Sequence, residues 1–388
     1  MFKKKFLQFL GCFIITALLT TTVIFAAESV FLQELTGSAV ETARFLRTLQ
    51  LLKTRYNGEL NNHELFDGAL KGMVEAVGDP YTVYLNRKDY QQLNEMTDGS
   101  FGGIGIVFGK RGDDYVVISA LPDNPGALAG IKSGDIIVSV DGQSTRELNV
   151  EQVSHKIRGE KGTDVTLELK NKDGKLYKVT ITRQAIKNPS VGGVMLEDTK
   201  IGYIRIAVFN EATGADFREK YVELEKQGMA ATVLDLRGNP GGLFGAGVSV
   251  AGMLVPKGPI VSVIDKSGEK YVETSSLERI KYPLAVLVDH GTASAAEIVS
   301  GAIKDTAAGK LFGVKTFGKG SVQSVYRLDT ETAVKITTAK YYTPNGTSIH
   351  NVGIEPDVVV ELPDDAVSDV QLKAAVDYLK EELQKNKP

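Results

Sequence analysis

The chain has 388 residues, 43% apolar and 24% charged, a globular composition with room for about two or three domains at roughly 150 residues each. Forty-five basic against 48 acidic side chains leave a formal charge of -3, which excludes the basic excess that nucleic acid requires. One Cys excludes a disulfide framework or thiolate cluster, and four scattered His without paired spacing point to no metal or other cofactor.

Lys3, Lys4 and Lys5 precede residues 6–27, which carry no charge, the order of an export signal or a membrane anchor. The run is long enough to span a bilayer, yet it ends in Ala26-Ala27 like a cleavage region, so anchor and cleaved signal both stay open. Either one predicts an extracytoplasmic protein of the cell envelope, membrane-anchored or secreted. Cys12 lies inside this segment, which leaves the exported part without Cys.

A helix follows, with Phe45, Leu49, Leu52 and Tyr56 on one face. Such a face suits packing or dimerisation. A second helix runs through Leu65, Leu70 and Val74 and ends at Gly78-Asp79-Pro80. Between residues 101 and 183 the texture changes to short apolar runs, at 115–119, 136–140, 165–169 and 177–181, divided by Gly, Asp and Asn. This predicts a small β-rich module.

Gly102-Gly103-Ile104-Gly105-Ile106 opens that module, and a dinucleotide loop is not supported, because three residues separate Gly105 from Gly109 and a strand follows. With Asn124-Pro125-Gly126-Ala127, Ser133-Gly134-Asp135, Val140-Asp141-Gly142 and a helix over 150–157, the module resembles a PDZ domain of the bacterial, permuted type. The resemblance implies that Gly103, Ile104, Gly105 and Ile106 hold a peptide's terminal carboxylate on main-chain N–H groups while the peptide adds as a strand. Gly126 is an extra residue in the usual Pro-Ala turn, expected to leave that loop untouched.

From residue 201 strands and helices alternate: a strand over 203–209, a helix over 215–227, a strand over 232–236 into a Gly-rich turn, a strand over 284–288 and a helix over 295–304. This is an α/β layer. An amphipathic helix over 370–383 closes the chain, with Leu372, Val376, Leu379 and Leu383 on one face.

Three turns of the layer carry candidate chemistry. Ser294-Ala295-Ala296-Glu297 opens a helix as a capping box would, and the same position suits a nucleophile beside the Ala295 N–H. GxSxG is absent. His290 is one candidate base. Lys319, between Gly318 and Gly320, is another, provided burial strips its proton affinity, and Gln323 shares its face of an extended chain without adding charge. Gly313 to Lys319 satisfies GxxxxGK, but Gly320 stands where Mg²⁺ needs Ser or Thr and a strand follows, so a phosphate loop is not supported. Asp235-Leu236-Arg237-Gly238-Asn239-Pro240-Gly241-Gly242 ends a strand in bare N–H groups suited to an oxyanion.

Taken with Asp79-Pro80-Tyr81, Lys340-Tyr341-Tyr342-Thr343-Pro344 and Gly353-Ile354-Glu355-Pro356, these motifs resemble the bacterial carboxyl-terminal processing peptidases. The resemblance implies an α+β multidomain protein: a signal or anchor over residues 1–28, an N-terminal helical region over 29–96, an inserted PDZ module over 97–185, a ClpP/crotonase-like protease core over 186–362 and a C-terminal helix over 363–388. It implies a serine endopeptidase with Ser294 as nucleophile, Lys319 as general base, Gln323 orienting the lysine, and oxyanion donors from Ala295 and from Gly241 or Gly242. Arg158 matches a PDZ residue linked to gating. Substrates would be proteins or peptides with free C-termini, and the helical ends predict a homodimer or larger assembly. A PDZ-bearing scaffold with an inactive hydrolase-like domain is the alternative. Thr292 and His350 depart from the family's usual Ser and Gln, and His350 is a source of pH sensitivity.

Overall fold

The computed structural model describes Gly37, residues 39–363 and residues 368–385. The proposed signal or anchor and Cys12 lie outside the described residues. Among those described, no helix is long and apolar enough to cross a membrane.

The chain divides into two units between Met73 and Val74. The first contains the helix Ala39–Arg55 and most of the helix Asn62–Glu75. Phe45, Leu46, Leu51 and Tyr56 stay exposed.

In the second unit, the six-stranded core sheet runs Val191–Met195, Ile201–Ile206, Ala231–Asp235, Leu284–Val288, Lys310–Gly313, Val358–Val359. The first pair is antiparallel and the rest are parallel. Ala231–Asp235 and Leu284–Val288 are buried along their whole length, as central strands of a sheet covered on both faces must be. The helices Thr213–Lys226, Phe244–Ala251 and Ala295–Asp305 pack on one face; the helix Val370–Lys385 covers the other through Ala375 and Leu379. Small residues let two of them approach closely: a Cβ on Gly247 would stand 3.1 Å from the Ala295 carbonyl oxygen.

The strand expected over 203–209 stops at Ile206. Phe209 instead bridges to Gly242, with its N–H on the Gly241 carbonyl at 2.8 Å, so it braces the Gly-rich turn. A second sheet is built on Ala333–Tyr342, which pairs with Val83–Leu85 and Gly258–Asp265, and with Ser321–Arg327. The Asp79-Pro80-Tyr81 segment therefore leads directly into the sheet that carries the strand after Lys319.

The β-rich module is an antiparallel sheet with its own core around Tyr115, Ile137, Leu167 and Leu169. Its flanking helix Val150–Ile157 starts in a reciprocal Asn149–Gln152 cap. The chain enters and leaves the module through one two-stranded ribbon, Ser100–Gly103 paired with Gln184–Lys187. A PDZ module inserted ahead of an α/β core is thus borne out.

Candidate active site

Three neighbouring parallel strands end at one edge of the core sheet, where open α/β sheets form their ligand crevices. Ala231–Asp235 runs into the Gly-rich turn, Leu284–Val288 into the turn of Ser294, and Lys310–Gly313 into the loop of Lys319. Ser294, Ala295, Gly241, Gly242, Lys319 and Gln323 all line one cleft of about 760 Å³. Sequence reasoning named each of these, and the fold brings them together.

Ser294 occupies φ 54°, ψ -117°, a strained conformation for a side chain with Cβ. Its turn is sharp in the manner of a nucleophile elbow although GxSxG is missing. Gly241 explains how the turn fits: at φ 94°, an added Cβ would lie 2.7 Å from both Ser294 Cβ and the Ala293 carbonyl oxygen. The Ala295 N–H makes no hydrogen bond to another described residue, and neither does that of Gly242. The Gly241 N–H differs, because it donates to Asn239 Oδ1 at 2.8 Å, which narrows the oxyanion candidates on this turn to Gly242.

Lys319 is held by its main chain. Burial lowers the proton affinity of its amine and the nearby Lys335 lowers it further, against the opposing pull of Glu297 and Asp79. The amine makes no hydrogen bond to another described residue. Gln323 points its amide elsewhere than expected, donating to Ser321 Oγ at 2.9 Å and to Thr337 Oγ1 at 3.4 Å. His290 is exposed and does not line the cleft, and the adjacent Asp289 accepts the Gly238 and Gly291 N–H groups instead of orienting it. Thr292, buried, donates to the Leu236 carbonyl.

Two residues do more than the sequence reading assigned them. Glu297, expected only to cap, is fully buried and accepts from Ser294 N, Thr316 Oγ1, Gly318 N and Lys319 N, so it joins the turn of Ser294 to the loop of Lys319. Tyr341 donates its hydroxyl to the main-chain carbonyls of Ser294, at 3.0 Å, and of Lys319. Burial, with Glu297 and Tyr81, pushes its pKa well above the ordinary phenol value, so it stays a neutral donor. The only signal for it was the Lys340-Tyr341-Tyr342 motif.

In the PDZ module, Ile104 is buried, Gly105 lies at φ 70° and Ile106 starts the strand Ile106–Arg111. The Ile104 carbonyl accepts from Gly126 and the Gly105 carbonyl from Leu121, while the N–H groups of Ile104 and Gly105 donate to no other described residue. Gly126 does touch the loop, contrary to expectation: an added Cβ would stand 2.7 Å from Ile106 Cγ2. Arg158 stacks on Phe101 at 4.0 Å from the ring centre, tying the end of the PDZ helix to the strand that leads into the loop. Neither Arg158 nor residues 103–106 line the Ser294 cleft. Among the described residues, no group of three or more His, Cys, Asp or Glu could hold a metal ion.

Residues 200–360 match peptidase family S41, residues 116–171 a PDZ domain, and residues 20–89 the N-terminal domain of the activating protease CtpB. The chain is 37% identical over 320 residues to carboxy-terminal processing protease CtpA of Bacillus subtilis, covering 82% of this chain and 68% of that protein. It is 32% identical over 323 residues to CtpB of the same organism, covering 82% and 67%. Among solved structures, the photosystem II D1 C-terminal processing protease is similar with a TM-score of 0.50 and 32% identity, over 88% of this chain and 91% of that one.

Proposed function

The chain belongs to the carboxyl-terminal processing proteases of peptidase family S41, which are serine peptidases, and from that membership we propose that Ser294 and Lys319 form its catalytic dyad. The observation that carries this reading is a lysine whose proton affinity burial lowers, in the same cleft as a serine on a strained strand-to-helix turn.

Lys319 accepts the Ser294 hydroxyl proton as Oγ attacks the scissile carbonyl carbon. The carbonyl oxygen gains the charge and is met by the Ala295 and Gly242 N–H groups. When the C–N bond breaks, the Lys319 ammonium returns its proton to the leaving amine, and water then releases the acyl group with Lys319 again as base.

The PDZ loop receives the substrate's terminal carboxylate on the Ile104 and Gly105 N–H groups, and the peptide extends along the edge strand Ile106–Arg111. Arg158 gates through its stack on Phe101. Substrates are proteins or peptides with free C-termini outside the cytoplasm, reached by export or anchoring through residues 1–28. The exposed apolar side chains Phe45, Leu46 and Leu51 of Ala39–Arg55 support a homodimer. Lys319→Ala and Ser294→Ala, assayed for peptide cleavage, test the dyad: both should be inactive, and near-normal turnover by Lys319→Ala would overturn the lysine base. Unchanged biological activity of Ser294→Ala would instead identify a scaffold.

A further inference from the structure

The Lys319 amine lies 4.8 Å from the centre of the Tyr81 ring, inside the roughly 6 Å reach of a cation–π contact. His350 meets the same ring edge-on at 6.4 Å, and its main chain packs against Gly320, where an added Cβ would stand 2.7 Å from the His350 nitrogen. Tyr81 thus contacts both the lysine and the His350 ring, whose main chain packs beside Gly320.

Tyr81 is itself held by a small network. Asp79 Oδ1 accepts the Tyr81 N–H at 3.1 Å, Asp79 Oδ2 accepts the Thr82 hydroxyl at 2.6 Å, and Thr82 Oγ1 accepts the Thr337 N–H at 3.0 Å. Burial would raise the Asp79 pKa, but hydrogen bonds from the Thr337 and Thr82 side chains and the Tyr81 N–H hold it below the ordinary carboxylate value, so the turn is anchored by a charge. Gln323 joins the network from the other side through its bond to Thr337 Oγ1.

We propose that Tyr81 is the positioning residue of the general base, its ring excluding water from the Lys319 amine and fixing its direction, and that Gln323 acts through Thr337, Asp79 and Tyr81 instead of touching the lysine. This inference rests on Lys319 being the base. The ring has two opposed effects. Its face favours the ammonium, while the water it displaces favours the neutral amine. Desolvation can shift a lysine by up to about 3–5 pKa units, more than an aromatic face returns, so exclusion of water dominates. The other charges that act on the amine are Glu297 and Asp79, which favour the ammonium, and Lys335, which opposes it; Tyr341, a neutral donor, lines the same cleft, and His350 meets the ring edge-on.

The test is the pH profile of kcat/KM for the full chain with a quenched-fluorescent peptide bearing a free C-terminus. Tyr81→Leu should lower kcat roughly 10- to 100-fold with KM moved less than about threefold, and should shift the acid limb to higher pH. Tyr81→Phe keeps the ring and should keep the profile. Thr337→Val, which preserves shape but cuts the link from Gln323, should shift the limb in the same direction by less. A wild-type limb in Tyr81→Leu or in Thr337→Val overturns the proposal, and so does a Tyr81→Phe profile that matches Tyr81→Leu. Lys319→Ala in the same assay separates the two levels: substantial activity there sinks the base itself, whereas an inactive Lys319→Ala beside an unshifted Tyr81→Leu sinks only the role of the ring.

Discussion

The carboxylate of Glu297, fully buried, accepts the main-chain N–H of Lys319 at 2.9 Å. Through the same group it holds Ser294 N at 2.8 Å, so the turn of Ser294 and the loop of Lys319 share one anchor. Burial raises the Glu297 pKa, and the four bonds it accepts only partly offset this. Glu297→Ala leaves four donors buried without an acceptor and should cost about 3 kcal/mol of stability. Displacing the two turns should also cut kcat by about 100-fold. Glu297→Gln, which keeps the volume and one acceptor oxygen, should fall between. Denaturant unfolding and active-site titration with a fluorophosphonate measure the two effects separately.

The lowered proton affinity of Lys319 sets a pH dependence whose sign can be worked out. With Lys319 as the proposed base, activity requires its neutral amine and should rise with pH through the lysine's depressed pKa. Stability moves the same way: between that depressed value and the ordinary lysine pKa of about 10.4 the unfolded chain binds the extra proton, so folding is favoured as pH rises through this window. Lys335→Met removes the neighbouring positive charge and should move the acid limb of kcat/KM to higher pH. A limb that moved downward would contradict the assigned electrostatics.

Gly241 and Gly242 have no room for a side chain. A Cβ on Gly242 would meet the Phe209 carbonyl oxygen at 2.0 Å, and one on Gly241 would press on Ser294. Gly241→Ala should therefore lower kcat by about 100- to 1,000-fold through displacement of the proposed oxyanion turn, in the range seen for loss of one oxyanion donor. Pre-steady-state burst kinetics would show whether acylation is the step affected.

The PDZ loop offers an independent handle. Gly105 lies at φ 70°, and an added Cβ would stand 2.4 Å from Asn124 Cβ. Gly105→Ala strains the loop by about 1–3 kcal/mol and should weaken binding of a free-carboxylate peptide by roughly 10- to 100-fold. Anisotropy with the peptide acid and its amide should lose the distinction between them, while fluorophosphonate labelling of Ser294 stays intact.

Arg237 bridges Asp235, wholly buried, and Asp369, just before the last helix. Arg237→Ala should destabilise the protein by about 3–5 kcal/mol, because it leaves the Asp235 charge without its closest partner. Burial would raise the Asp369 pKa, but its bonds to Arg237 hold it below the ordinary carboxylate value. The stability it contributes is therefore present above about pH 4 and lost as pH falls through the depressed pKa. Acid titration of unfolding in wild type and Asp369→Asn should show this loss only in the former.

Local pattern carried much of the fold. The strands Ile136–Val140 and Leu284–Val288 and the helix Val150–Ile157 fall where apolar runs and turn residues place them, since each depends on its own neighbours in the chain. Phe209 does not, because it lies past the strand's end at Ile206 and bridges instead to Gly242 on a distant turn.

The sequence by itself determined the family, the order of the modules, and the candidates Ser294 and Lys319, because each sits in a short motif with its own turn chemistry. Only the tertiary structure decided what those residues touch. Asn239 occupies the Gly241 N–H, Gln323 bonds Thr337 and not Lys319, Glu297 ties two turns together, and the Tyr81 ring lies over the lysine. The Tyr81 and Glu297 contacts join segments far apart in the chain, brought together by sheet order and strand register, and the Asn239 and Gln323 bonds depend on which way a side chain turns within the packed fold. Neither leaves a local signal of its own in the sequence.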